Sequence, residues 1–487
     1  MRSIRLLRVT SLLTLAAVGV TCARQMPDMP QQQAEHQHMN IPTVQVVYPR
    51  MGRAQETAQE PLFTLEQAQH IASEANPTLR QAEAEIRASK ARQQQAGLYP
   101  NPMVGYAGDE IRGGSINGGK QGFFVQQTIV TGGKLGRSRD VFTKEMRLAE
   151  IEAEEQKLRV ESAVKTAYLR VLAAQELLDV RRELARMDQD YAETQRRLFN
   201  TGQADETEVL DAEVEAERLR MAARMQENTL REEWRSLAAV IGRPDLPQAI
   251  VSGDLEHNWP ELNEQQAVAN IAAQSPAIRI TNTAVARAES EIARARRESS
   301  PDLHLRGGLE YNNEFLSTAP HAIGWEGVAE VGVQLPIFNR NQGNVAAATA
   351  ELDRAQLEKQ RVALTLRERA ATVVDQYSNA RLMAAEYRGE VLPRAKKAYA
   401  LMAQKYGLML AAYPRVIQSQ RKLYELQAEY IVALESVWTT GIALQGYLLT
   451  DGLEAPARPG DVDRPIRETN VPSPERMMSS SDSVPRP

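Results

Sequence analysis

Between Arg137 and Thr201 the chain contains no glycine and no proline, a run of 65 residues. Glycine and proline are the residues that most weaken a helix interior. The stretch therefore reads as one helix, and at about 1.5 Å per residue it would be roughly 100 Å long. Val180, Leu184, Met187, Tyr191 and Leu198 recur at spacings of four, three, four and seven, with Thr194 in the gap. Val416, Leu423, Tyr430, Leu434 and Val437 form a second such series. Both are coiled-coil seams. A helix of this length suits a rod or a tube better than a compact enzyme. With 43% hydrophobic, 25% charged and 5% aromatic residues, the chain is neither disordered nor collagen-like. Its net charge of −5 comes from interspersed acids and bases, so no nucleic-acid partner is expected. One cysteine forbids an internal disulfide or a CxxC metal site.

The body is written twice. Phe63-Thr64-Leu65-Glu66-Gln67-Ala68 opens a helix that reaches Asn76-Pro77, and Leu262-Asn263-Glu264-Gln265-Gln266-Ala267 opens one that reaches Ser275-Pro276. The offset of 199 holds at Leu79 and Ile278, Arg80 and Arg279, and Pro102 and Pro301. Further on, Gln127 matches Gln334 and Phe199 matches Tyr406 at an offset of 207. The second copy thus carries about eight extra residues, expected in a loop around 312–326. The expected units are 62–250 and 259–451, each running helix, two strands, long helix, turn, helix. Asn200-Thr201-Gly202 ends the first long helix, and Asp205 suits an N-cap for its successor. Tyr413-Pro414 marks the matching break, with Pro414 in a first turn.

Between the helices lie short strand candidates. In 303–311, Leu303, Leu305, Leu309 and Tyr311 share one face with Gly307, while His304, Arg306, Gly308 and Glu310 share the other. In 328–335, Ala329, Val331, Val333 and Leu335 oppose Val328, Glu330, Gly332 and Gln334. The first copy offers 103–107 and 123–128. Two-faced strands fit a transmembrane barrel or a half-buried soluble sheet. Four strands cannot close a spanning barrel, so a membrane role requires several chains to share one.

Arg2, Arg5 and Arg8 precede a short apolar stretch from Leu12 to Val20, which reads as a secretory signal over 1–22. Cys22 stands where such a signal is cut, in a setting that resembles a lipoprotein box. Either Cys22 carries a lipid anchor or an ordinary cut falls near Ala23. Residues 23–61 read as a flexible leader containing Met26, Met29, His36, His38 and Met39. Thioether and imidazole groups suit a soft metal ion, although a plain polar leader explains them as well. The Pro- and Ser-rich tail 452–487 reads as disordered.

Ala96-Gly97-Leu98-Tyr99-Pro100-Asn101-Pro102, the run Leu335-Pro336-Ile337-Phe338-Asn339-Arg340-Asn341-Gln342-Gly343 and the turn Phe199–Ala212 resemble the TolC-type outer-membrane efflux proteins. The Phe-Asn-Arg-Asn-Gln-Gly string is similar to their heavy-metal branch. The resemblance covers about residues 62–451. It implies a mainly α chain with a small β part, whose four strands join a trimeric 12-stranded transmembrane β-barrel in the outer membrane. The long helical hairpins would form a periplasmic tube. The expected partners are two further copies, a periplasmic adaptor, an inner-membrane proton-driven pump and outer-membrane lipid. The helical turns would close the tube, with Glu208, Asp211, Arg415 and Gln418 at its mouth. Gly202, Asp205, Tyr413 and Pro414 would mark the adaptor-contact turns. Relatives often carry acids where Arg415 and Gln418 stand and a turn glycine where Met409 stands, so the ring here has mixed signs.

No catalytic motif is visible. Gly132-Gly133-Lys134 is followed by Leu135 rather than Ser or Thr, and there is neither an HExxH pair nor a GxSxG elbow. The expectation is a passive metal-cation conduit with no cofactor and no enzymatic activity. Two alternatives remain: the same channel for drugs or other small molecules, and a periplasmic coiled-coil scaffold without a pore. A lipid-facing strand over 303–311 separates the channel readings from the scaffold.

Overall fold

The computed structural model describes residues 62–110, 119–315 and 321–456. Cys22, Met26, Met29, His36, His38, Met39 and the tail beyond 456 lie outside the described residues. The first half opens with α1 (Leu65–Ala75) and α2 (Pro77–Ala96). Thr64 and Gln67 cap α1 reciprocally, and the Asn76 side chain accepts from Thr78 N–H to start α2 behind Pro77. Strands β1 (Met103–Asp109) and β2 (Lys120–Ile129) lead into α3 (Lys134–Asn200) and α4 (Glu206–Ile241). The glycine- and proline-free run is thus the body of a single 67-residue helix. The second half repeats the order with α5 (Glu264–Gln274), α6 (Pro276–Arg297), β3 (Leu303–Phe315), β4 (Ala322–Val333), α7 (Gln342–Glu386), α8 (Leu392–Gly407) and α9 (Tyr413–Gln445).

The structure corrects three details of the sequence reading. Most of the extra residues of the second copy lengthen strands instead of making a loop: β3 and β4 have 13 and 12 residues against 7 and 10 in β1 and β2. The left-handed residues before the long helices, Gly133 and Asn341, lie 208 apart, so Gln334 corresponds to Gln126 rather than Gln127. The second long helix is also interrupted. A π-turn at Tyr387–Val391 separates α7 from α8, just before Pro393. Proline lacks the N–H that would bond back to Gly389, and its ring crowds that carbonyl.

The core lies where α3 meets α2, α4, α6 and α9. Leu148, Ile151 and Ile280 pack together, and Val164, Val171, Leu237 and Ile241 are almost wholly buried. The segment joining the halves crosses this middle zone. Phe63 bridges to Val251, and the Tyr168 hydroxyl lies 2.7 Å from the Phe63 carbonyl and 2.6 Å from that of Ser252. Trp438 donates to the Leu255 carbonyl, and Arg388 of the π-turn donates to that of Glu256.

The strands form one antiparallel sheet in the order β1-β2-β3-β4. The β2–β3 ladder, from Lys120↔Asn312 to Ile129↔Leu303, joins the two halves, and β1 and β4 are open edges.

Candidate functional site

Strand alternation and cross-strand register give the sheet two unlike faces. Tyr106, Phe123, Leu309 and Gly327 stand side by side across all four strands. With Val104, Val125, Trp325, Val331 and Val333 they make an outward apolar face that is exposed in the single chain; Trp325 is 71% and Val331 70% exposed. Tyr106 meets Phe123 edge-on at 5.6 Å between ring centres, and Tyr311 meets Trp325 at 5.5 Å. Such a face in water would be a large apolar patch. No helix among the described residues is long and apolar enough to cross a membrane.

The opposite face is polar. Lys120 pairs with Glu326 at 3.3 Å, Asn312 donates to Glu326 at 3.2 Å, and Arg306 lies 3.7 Å from Glu330. Phe124 is the aromatic ring of this face. Arg306 covers it at 4.3 Å, and the ring lies across Gly105, where an added Cβ would stand 2.5 Å from Cζ.

At the far end of the long helices the two turns share one geometry. Gly202 takes φ +72°, and Gln203 N–H bonds to Leu198 O while Gly202 N–H bonds to Phe199 O. Met409 takes φ +60°, with Leu410 N–H on Lys405 O and Met409 N–H on Tyr406 O. Both are Schellman endings, so Met409 occupies the left-handed position that glycine fills in the first turn. Asp205 caps α4 through Glu208 N–H at 2.9 Å, as its sequence position suggested. Tyr413 is the first residue of α9 and Pro414 follows it.

Glu208, Asp211, Arg415 and Gln418 are all exposed. Among the described residues no hydrogen bond or ion pair joins any two of them. The contacts that tie the two hairpins together lie slightly higher. Tyr413 stacks obliquely on Tyr191 of α3 and Tyr406 of α8, at 5.8 and 5.4 Å. Above them Arg421 of α9 pairs with buried Asp188 of α3 and lies 3.8 Å from Glu215 of α4. Burial holds the Asp188 carboxyl above the ordinary carboxylate range, although Arg421 pulls it back down. Sequence reasoning missed Asp188, Glu215 and Arg421. The available signal was a matched distance from the turns: Asp188 stands 14 residues before Gly202, and Arg421 stands 12 after Met409.

A chain with a lipid-ready sheet at one end of very long helices and paired turns at the other has the build of an envelope-spanning conduit. It belongs to the outer membrane efflux protein family, whose pattern matches residues 69–243 and again 267–448. The chain is accordingly an efflux protein of the outer membrane that extends into the periplasm. A similar protein is the cobalt-zinc-cadmium resistance protein CzcC of Cupriavidus metallidurans, 23% identical over 390 residues that cover 79% of this chain and 90% of that one. The same fold occurs in the Neisseria gonorrhoeae MtrE outer membrane channel, in its open state (TM-score 0.63, 17% identity, 80% of this chain and 90% of that one). It occurs also in CusC (TM-score 0.60, 17% identity, 82% of this chain and 96% of that one).

Proposed function

We propose that three copies close their sheets into one twelve-stranded barrel, and that the assembly is the passive outer-membrane duct of a tripartite pump exporting heavy-metal cations. The observation that carries the reading is the four-stranded sheet with an exposed apolar face and two open edges. In lipid every backbone group needs a partner, and only closure supplies one at the edges. The likeness to a protein named for cobalt, zinc and cadmium resistance supports metal cations as cargo. In this reading an adaptor protein meets the turns around Gly202, Asp205, Tyr413 and Pro414. Glu208, Asp211, Arg415 and Gln418 line the mouth that the turns surround. Cys22 anchors the mature chain to the membrane by a lipid, and Met26, Met29, His36, His38 and Met39 give the leader soft-metal affinity. An inner-membrane pump supplies the energy, and the chain itself needs no cofactor.

Two measurements test the proposal. The first is the mass of the protein extracted in detergent, where a trimer is expected and a monomer released without detergent overturns the pore. The second is host tolerance after deletion of the chain, to cobalt, zinc, cadmium, copper and silver beside a panel of drugs. Lost metal tolerance is expected, and sensitivity confined to drugs overturns the metal cargo.

A further inference from the structure

Toward the helices, the apolar face of the sheet ends on the rung Ile129, Leu303 and Val333. Below that rung the surface does not turn polar at once. Leu98 and Tyr99, between α2 and β1, are exposed, and so are Ile337 and Phe338, between β4 and α7; Phe338 is 91% exposed. Exposed aromatic rings at the end of a lipid-facing sheet mark the water boundary of a bilayer.

The next level down is cationic. Part of its charge is neutralised inside the chain: Arg92 pairs with Glu85, Lys134 with Asp302, Arg137 with Asp140 and Arg294 with Glu291. Arg139, Arg296 and Arg297 are exposed, and among the described residues no carboxylate pairs with any of the three. Glu298 stands beside them, so the surplus is still positive. Arg296 and Arg297 suit the last turn of α6, where cations complement the helix dipole. Arg139 lacks that reason. Lys134, Arg137 and Arg139 open α3, at the end of a helix that favours anions, and its first turn holds no acid. Asp302 and Asp140 answer the first two, and Arg139 is left over. Gly97 makes room for its stem: a Cβ added there would stand 3.3 Å from Arg139 Cδ. The stem thus runs along the passage that carries Leu98 and Tyr99. Gly132, just above α3, faces Ser300 and the Arg297 carbonyl, which sets Arg297 at the same level. The far end of the sheet has the opposite sign, with Asp109, Glu110, Glu310, Glu314 and Glu326 around Lys120.

We propose that Arg139, Arg296 and Arg297 form a collar that binds the phosphate headgroups of anionic phospholipids in the periplasmic leaflet. The proposal rests on the channel reading, which puts the apolar face in the membrane, and adds which lipid lies at its lower rim. A bilayer carries a headgroup layer of roughly 5–8 Å on each side of its hydrocarbon core. Arginine stems are long enough to lift their charge into that layer, and a guanidinium matches phosphate oxygens two at a time. The rings directly above the cations favour lipid over an acidic protein segment, which would leave Tyr99 and Phe338 in water.

Reconstitution of the full-length protein tests the collar, in bilayers of equal parts phosphatidylglycerol and phosphatidylethanolamine with identical acyl chains. Lipids that stay bound after mild extraction are counted by mass spectrometry. One cation near an anionic surface is worth about fivefold in binding, so bound phosphatidylglycerol is expected to outnumber phosphatidylethanolamine by about that factor. The ratio should fall toward one when the salt is raised to about 1 M. Arg139→Gln, Arg296→Gln and Arg297→Gln together should bring it close to one at low salt, whereas lysine at the same three positions should keep most of it. Arg139→Gln alone, which should lower the ratio in part, serves if the triple variant misfolds. A trimer by mass whose ratio is near one in the parent, or stays high through the glutamine substitutions, overturns the collar and leaves the channel reading intact. A protein that is monomeric in detergent overturns both.

Discussion

Asp188 and Arg421 join α3 to α9 through an ion pair in which the carboxylate is wholly buried and the guanidinium keeps 23% of its exposure. The pair is the deepest charged contact between the two hairpins near the turns. Removing one partner of a buried pair costs about 3–5 kcal/mol, because the other is left without compensation. Arg421→Ala is therefore expected to loosen the second hairpin and raise ion conductance in planar bilayers. Adding Asp188→Asn should return part of the closed behaviour. An unchanged conductance in Arg421→Ala would remove the pair from gating.

The two turns differ in one residue at the same backbone angle. A residue with a Cβ in the left-handed region costs about 1 kcal/mol relative to glycine. Gly202→Ala should lower the unfolding free energy by that amount. Met409→Gly should raise it by less, since the added freedom of the unfolded chain offsets part of the gain. Denaturant titration of both variants checks the order.

Burial pushes the Glu176 carboxyl up from the ordinary 4.5 to about 7, and Glu256, Asp254 and Asp179 add to the shift. A raised carboxyl favours the folded state at low pH. Its contribution is complete below about pH 4.5 and is lost as pH rises through about 7. At about 1.4 kcal/mol per unit the ceiling is about 3 kcal/mol per chain, and partial solvent access trims it. Glu176→Gln is expected to stabilise the protein at pH 8 and to leave it unchanged at pH 4. Unfolding midpoints at the two pH values decide this.

Phe124 lies flat only because Gly105 leaves it room. Gly105→Val should push the ring off the wall and lower single-channel conductance, and Phe124→Ala in the same chain should restore it. A conductance drop that survives the second substitution would assign the effect to the strand itself.

Much of this architecture was legible from periodicity. The α3 run, the seams and the duplication come from spacing alone, because a long helix and a repeat leave regular marks. Strand lengths were harder. Gly324, Glu326 and Gly327 carry little alternation of their own, and β4 gains its first residues by pairing with β3. The π-turn left only Gly389 and Pro393 as signs, and an isolated proline in a helical pattern more often marks a kink or an end. Asp188 and Arg421 are 233 residues apart, so their meeting depends on the packing of α3 on α9. Glu208, Asp211, Arg415 and Gln418 lie exposed in the first turns of α4 and α9, and among the described residues no hydrogen bond or ion pair joins any two of them.

The interruption at Tyr387–Val391 makes the two hairpins mechanically unequal. The first is a continuous girder from the sheet to its turn, whereas the second has a joint beside the crossing segment that holds Arg388. Under a sideways load such a member yields at its joint, as helices do where the backbone ladder is broken. Below that level α8 and the lower part of α9 form a lever, and the Asp188–Arg421 pair sits on it as a catch. A partner pressing on the second turn therefore has more leverage on the molecule than one pressing on the first.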